Sequence, residues 1–270
     1  IVNNFIDKNS NTRAVLTDHW KSLELLNTKH LNKSKTICLL HSKEINHEKD
    51  SSLNKRIIKS TNKANFIIAN SNFTKELAIK VGIDSSKIRV IFPGIKKPIK
   101  IEKKSNTEVE SIFKDSFPKI ITVARLEKRK GHDKILMTIK NLKTKFPNIK
   151  YISIGFGEEE NDLKKLSKEL SIENEVVFLK NIDENLKLAL IADSNLFLMP
   201  SRVDKKSVEG FGISYVEAAS YGVGSIGGKD GGASDAITHN KTGLICDGND
   251  LNSIYQTVVD FFENENFNRY

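Results

Sequence analysis

Short runs of consecutive apolar residues, rich in Ile and Val, recur along this chain and constrain its fold more than any other feature. They are TICLLH (36–41), ANFIIAN (64–70), KIRVIF (87–92), KIITVA (119–124), KYISIG (150–155), EVVFLK (175–180) and NLFLMP (195–200). A strand covered on one face alternates apolar and polar residues, whereas runs this continuous suit strands covered on both faces. Between them, segments 16–30, 72–81, 131–146, 158–170, 184–193, 212–221 and 250–264 carry apolar residues at helical spacing. Strands alternating with helices predict an α/β fold of parallel sheets with helices on both faces. The 270 residues exceed the usual single domain, so two domains are expected. The Pro-bounded, charge-rich stretch 94–117 separates two strand–helix series and reads as the linker. That gives a first Rossmann-like domain over 1–110 and a second over 118–270. Two such domains bind ligands in a cleft facing the carboxyl ends of their strands.

Composition narrows the class. Hydrophobic residues make up 38% and charged residues 29%, and no apolar run approaches the roughly 18 residues of a membrane span. Cys38 and Cys246 each lie in a strand-like apolar context, which predicts two buried thiols and a reducing, cytoplasmic compartment. The chain starts at Ile1 without a basic-then-apolar leader, so residues are expected upstream. The net charge of +9 is concentrated in residues 1–110, with 21 Lys/Arg against 11 Asp/Glu, while residues 111–270 hold 22 against 23. A solvated lysine surface is the commoner meaning of such an excess; the functional one is attraction to an anionic acceptor or to the inner face of a membrane. No helix-turn-helix, zinc or ribonucleoprotein pattern accompanies the charge, so a nucleic-acid partner is not expected.

Two constellations carry chemistry. The first, ARLEKRKGHD (124–133), follows a strand directly, and Lys130-Gly131 precede a helix expected to begin near His132-Asp133. Arg125 and Lys130, at a strand end beside a helix N-terminus, make a competent diphosphate cradle. A solvated basic loop reads equally well, with Lys128 and Arg129 as surface charges. The second lies within 201–237, where Glu209 precedes Gly210-Phe211-Gly212 and Glu217 follows eight residues after Glu209. Glycines at a helix start let backbone N–H groups approach a phosphate or sugar oxygen. Eight residues are about 2.2 helical turns, which places Glu217 on the side of the helix entrance. A carboxylate flanked by Val216, Ala218 and Ala219 needs partners, and ligand hydroxyls are suitable ones. The plainer reading makes Glu209 a dipole-favoured charge and Glu217 an exposed helix residue. A second glycine cluster, Gly227-Gly228 and Gly231-Gly232, ends the next strand and opens another helix, which favours a ligand site.

In order and spacing, Arg125 and Lys130 in ARLEKRKG, Glu209 and Glu217 around EGFGISYVE, and GGASDAITHNKTGLICDGND (231–250) resemble the retaining family-4 glycosyltransferases of the GT-B fold. Residues 59–95 resemble the last strand–helix–strand stretch of that family's acceptor domain, and ICLLHSKE (37–44) its strand ending in His. The loop MPSRVDKKSVEGFGI resembles the phosphatidylinositol-mannoside mannosyltransferase subgroup, which uses GDP-mannose. The resemblance implies transfer of a hexose from a nucleotide sugar to a lipid or glycan acceptor in envelope synthesis, with no metal or cofactor. It implies that Arg125 and Lys130 hold the donor diphosphate and stabilise its developing charge. Glu217 would bind the ribose; Glu209, with Gly210, Phe211, Gly212 and Ile213, would orient the sugar, and His41 would face it from the other domain. The two carboxylates are thus not a glycosidase pair, which would flank the scissile bond. His19, His30, His47 and His132 are expected to be surface or capping residues.

The chain departs from the family pattern at Ser42, where Gly is usual, and at Ser234 and Asp235, where Pro and Glu are usual. Nothing before residue 12 resembles the family's first strand and glycine-rich loop, so the first domain is expected to be incomplete. A sugar-nucleotide epimerase and a non-catalytic sugar-nucleotide-binding protein are the competing readings. The residues leave the donor base open among guanosine, uridine and adenosine. A dinucleotide oxidoreductase does not fit, because IGFGEEE (154–160) lacks the third fingerprint glycine.

Overall fold

In the computed structural model, which describes residues 2–9, 11–27, 29 and 34–263, the apolar runs become strands of two parallel sheets. The chain divides into two units. One comprises Ile1–Pro93 with Lys205–Phe211, and the other Gly94–Asp204 with Gly212–Tyr270. This is the α/β architecture expected of a GT-B protein.

The first unit runs α1 (Val2–Lys8), β1 (Ala14–Thr17), α2 (Trp20–Glu24), β2 (Lys35–Leu40), α3 (Ser52–Thr61), β3 (Phe66–Ala69), α4 (Asn72–Lys80) and β4 (Ile88–Val90). Its strands lie in the order β1-β2-β3-β4, all parallel. Ser51 and Ser71 begin α3 and α4, their hydroxyls accepting from the N–H groups of Asn54 and Thr74. Trp20, Leu23, Leu40, Ile57 and Ile67 form its core, and the Trp20 indole donates to the Glu44 carbonyl at 3.2 Å. Within the described part of 16–30, the expected helix runs over Trp20–Glu24, and Lys29 is helical again. Leu16 instead pairs in register with Ile37, and His19 caps the helix by accepting from the Lys21 N–H. His19 is therefore a capping residue, as expected, while His30 lies outside the described residues.

The second unit begins with α5 (Lys103–Phe113), inside the stretch read as linker. It is polar and charged, yet Val109 and Phe113 are buried in this unit's core. There follow β5 (Lys119–Val123), α6 (His132–Leu142), β6 (Lys150–Ile154), α7 (Glu160–Glu169), β7 (Val176–Leu179), α8 (Glu184–Ala192) and β8 (Leu196–Met199). The unit closes with α9 (Ile213–Ser220), β9 (Ser225–Gly228), α10 (Ala233–Ala236), β10 (Gly243–Cys246) and α11 (Leu251–Glu263). All six strands are parallel, in the order β10-β9-β8-β5-β6-β7. The sheet has one core on each face. Ile120, Leu196 and Leu198 join Leu136 and Val258 on one side; Ile121, Phe197 and Met199 join Tyr215 on the other. Successive strand residues point to opposite faces, so a sheet covered twice requires runs with no polar alternation.

Strand order reverses between β5 and β8: the chain proceeds outward through β6 and β7, then returns to the other side of β5. Loops leaving neighbouring strands in opposite directions open a crevice at the strands' carboxyl ends. Both candidate constellations follow those ends, one after β5 and one after β8. Cys38 and Cys246 are free and buried, and burial pushes their thiols up to about 11 and about 12. No described helix is long and apolar enough to cross a membrane.

Candidate functional site

The loop after β5 is built around one acid. The Glu127 carboxylate takes the Arg125 guanidinium at 2.6 Å and that of Arg129 at 3.0 Å. The Leu126 N–H donates to the Phe156 carbonyl at 3.0 Å, pinning the loop to the chain beyond β6. Arg125 and Lys128 remain exposed, but Lys130 is 7% exposed and Arg129 8%, so Arg129 is not the surface charge expected of it. A short 3-10 turn, Lys128–Lys130, ends at Gly131 with φ +79, and α6 starts at His132 as anticipated. A Cβ on Gly131 would lie 2.6 Å from the Pro200 carbonyl oxygen, so the loop after β5 and the end of β8 touch backbone to side-chain position. Arg202 locks the contact. Its N–H donates to the Arg129 carbonyl at 2.8 Å, and its guanidinium grips both oxygens of Asp133 at 2.9 Å each. The result is a buried lysine just ahead of the N-terminus of an eleven-residue helix, a combination that suits an anion.

His132 is 2% exposed rather than a surface group. Its Nδ1 lies 3.1 Å from the Tyr151 hydroxyl, which donates to Thr122 Oγ1, whose own hydroxyl donates to the Leu198 carbonyl. Burial pulls its pKa down to about 4, so the ring is neutral at neutral pH and adds no charge beside Lys130.

After β8, Gly212 (φ +88) ends an irregular segment and α9 begins with the half-exposed Ile213. Ser214 Oγ donates to the Val123 carbonyl at 3.0 Å, fixing the start of α9 against the carboxyl end of β5. The first turn of α9 thus adjoins the loop that carries Arg125. Counting 2.2 turns from Glu209 does not apply, because Glu209–Gly212 are not helical; Glu217 instead lies about one turn into α9. Its Oε1 accepts from Lys187 Nζ at 2.9 Å, and Lys187 also reaches Glu184 Oε1 at 2.9 Å. Burial works against the Lys187 charge, but the hydrogen bonds to Glu217 and Glu184 more than offset it and hold its pKa above the ordinary value.

The remaining expected residues gather within the first unit. Lys205–Phe211 belongs to it although its neighbours in sequence belong to the second. The Lys206 carbonyl accepts from Asn46 Nδ2 at 3.0 Å, and the half-buried His47 lies beside Lys206 Nζ. A Cβ on Gly210 would lie 2.5 Å from the His41 carbonyl oxygen, and the Phe211 ring, 4% exposed, stacks on Phe92 with centroids 5.5 Å apart. Glu209 is 8% exposed. His41 is exposed, with Nε2 3.1 Å from Asp18 Oδ1, and its N–H donates to Glu44 Oε1 at 2.6 Å. The expected site residues therefore fall into two groups: His41, Glu209, Gly210 and Phe211 in one unit, and Arg125, Lys130, Gly212, Ile213 and Glu217 in the other.

Ser42 has φ +90, a conformation that favours glycine, which accounts for the family's preference there. Its side chain is fully buried, with Oγ 2.5 Å from Thr74 Oγ1, so the hydrogen bond offsets the backbone strain. Ser42→Ala keeps the strain and removes this bond, while Thr74 Oγ1 still accepts from Ser71 Oγ at 2.9 Å and donates to Asn70 Oδ1 at 2.7 Å. It is expected to cost about 1 kcal/mol in urea unfolding. An unchanged midpoint would show that the hydroxyl pair contributes nothing.

Lys187, Arg202 and Asp133 escaped the sequence reading. Lys187 and Glu217 are 30 residues apart on different helices, and Arg202 and Asp133 are 69 apart. No local spacing marks such pairs. Gly155 and Gly157 left a weaker trace, as a Gly-x-Gly after β6; a Cβ on either would lie within 2.3 Å of a carbonyl oxygen, of Ala124 or of Leu126, in the loop after β5.

The family profile described as Glycosyl transferases group 1 matches residues 103–270, more than half of the chain. The chain belongs to the group 1 glycosyltransferases. A second profile, Glycosyltransferase Family 4, matches residues 8–97 of this glycosyltransferase. It is 32% identical over 145 residues to a GDP-mannose-dependent alpha-(1-6)-phosphatidylinositol monomannoside mannosyltransferase of Mycolicibacterium smegmatis, covering 53% of the chain and 38% of that protein. It is 30% identical over 198 residues to an uncharacterized 41.2 kDa protein in the cps region of Klebsiella pneumoniae, covering 71% of the chain and 50% of that protein. The chain thus spans half or less of these relatives' length. Among solved structures, Anabaena HepE in complex with UDP superposes with a TM-score of 0.82 at 18% identity, covering 96% of the chain and 71% of HepE. A glycosyltransferase of Rickettsia africae does so at 0.77 and 20% identity, covering 97% of the chain and 69% of that structure. These likenesses show the GT-B fold of the glycosyltransferase.

Proposed function

We propose that this glycosyltransferase moves a hexose from a nucleotide sugar to a lipid or glycan acceptor with retention of anomeric configuration and without a metal ion. The observation that carries the proposal is the crevice of the second unit. There a buried lysine, the N-terminus of α6 and a half-buried carboxylate on α9 attend adjoining strand ends. A departing nucleoside diphosphate gathers negative charge as the glycosidic bond breaks, and Lys130, Arg125 and the α6 N–H groups stabilise that charge in place. Because Lys130 is already buried, little of its hydration is left to reorganise as the charge develops. Glu217 accepts from the ribose hydroxyls, while Glu209, the Gly210–Ile213 backbone and His41 orient the hexose.

The mannosyltransferase relatives support GDP-mannose as the donor and a lipid-linked acceptor. The excess of Lys and Arg in residues 1–110 supports contact with an anionic acceptor or the inner membrane surface.

Calorimetric titration with GDP, UDP and ADP, each with and without Mg²⁺, tests the donor site. Micromolar binding of GDP, unchanged by Mg²⁺, is expected. Binding that appears only with Mg²⁺ would remove the metal-free mechanism, and no binding of any nucleotide to the folded protein would remove the donor site altogether.

A further inference from the structure

We propose that Lys187 is a positioning residue that gives the donor site its selectivity for a ribose, acting through Glu217. The inference rests on the reading of Glu217 as the ribose ligand and extends it to a residue outside the family motifs. Lys187 stands on α8 and Glu217 on α9, with side chains 18% and 23% exposed, and the ammonium bonds Oε1 of the carboxylate at 2.9 Å. The same ammonium holds Glu184, one turn earlier on α8, so it is anchored from its own helix while it reaches across to α9.

A ribose presents two adjacent hydroxyls, and a carboxylate recognises them only if its plane is fixed. A glutamate side chain left to itself loses about 1.5–2 kcal/mol of rotamer entropy on being fixed. Lys187 fixes it in advance by occupying Oε1, which leaves Oε2 as the oxygen offered to the sugar. Hydrogen bonds to an ionised acceptor are about twice as strong as neutral ones, so the direction in which the free oxygen of the carboxylate is held matters. A bare glutamate would be less oriented. The effect acts only on a nucleotide that has ribose hydroxyls to donate, which separates this role from general support of the fold.

The test is calorimetry with GDP and 2′,3′-dideoxy-GDP, and likewise with the uridine pair, on the full chain and on Lys187→Met, Lys187→Arg and Glu217→Gln. Circular dichroism checks that each variant is folded. The wild-type chain is expected to prefer the ribonucleotide by about tenfold or more. Lys187→Met is expected to lose most of that preference while its affinity for the dideoxynucleotide stays within about twofold, and Lys187→Arg, which keeps the cation, to restore it. Adding Lys187→Met to Glu217→Gln is expected to change nothing further, and this arm decides the matter if the single Lys187→Met chain does not fold. A preference retained by folded Lys187→Met, or ribonucleotide binding that tightens because Lys187 competes for Glu217, overturns the positioning role and leaves the donor site standing. Failure of the wild-type chain to bind any nucleotide overturns both.

Discussion

Lys130→Ala is expected to lower kcat/KM for hexose transfer by about 10²–10³-fold, with most of the loss in kcat. Lys130 is 7% exposed and stands at the last residue before Gly131 and α6. On the proposed role, an ammonium in that position would meet phosphate oxygens in a medium poorer than water, where a charge interaction is worth several times its value at the surface. That interaction would grow as the diphosphate departs, so its removal would raise the barrier more than it weakens donor binding. Lys130→Arg is expected to recover only part of the loss, because a planar fork does not occupy the place of a compact ammonium. Thermal unfolding beside the kinetics separates the role from stability. A folded Lys130→Ala chain within threefold of the wild-type rate would end the leaving-group assignment.

Gly131→Ala is expected to cost about 3 kcal/mol of stability and to lower the melting temperature by roughly 6–12 °C. The residue has φ +79, and a left-handed conformation costs about 1–2 kcal/mol once a Cβ is present. The added carbon would also stand 2.6 Å from the Pro200 carbonyl oxygen, which is backbone and cannot rotate aside. Relief of that overlap must part the loop after β5 from the end of β8, which carries Lys130 out of place. Activity is therefore expected to fall with stability. Gly94→Ala is the control, since a Cβ there meets nothing within 4 Å, and its melting temperature is expected to stay within about 2 °C. If the two variants melt alike, the close approach at Gly131 has no energetic weight.

The second unit was the more legible half because its strands are sandwiched. Ile120 and Ile121 enter opposite cores, as do Leu198 and Met199, so the sequence shows unbroken apolar runs whose meaning is local. Segment 14–17 sent no such signal: only Thr17 is buried, and Leu16 is 64% exposed, so only pairing with β2 makes it a strand. Helix Lys103–Phe113 was hidden by its polar composition; among its described residues the apolar Val109 and Phe113 seat it in the core.

By itself the sequence determined the alternation of strands and helices, the two parallel sheets, the family, and the local placing of Arg125 and Lys130. Each depends on residues a few positions apart, where strand alternation and helix-start geometry act directly. Tertiary structure alone decided the partners: Lys187 on Glu217, Arg202 on Asp133, Pro200 against Gly131, and the gathering of Glu209, Gly210 and Phe211 with His41 in the first unit. These contacts join residues from about 30 to about 170 positions apart, and they form only because sheet order returns the chain from β7 to β8 and the Lys205–Phe211 segment to the first unit. No periodicity along the chain encodes a contact whose partners are chosen by how separate elements pack.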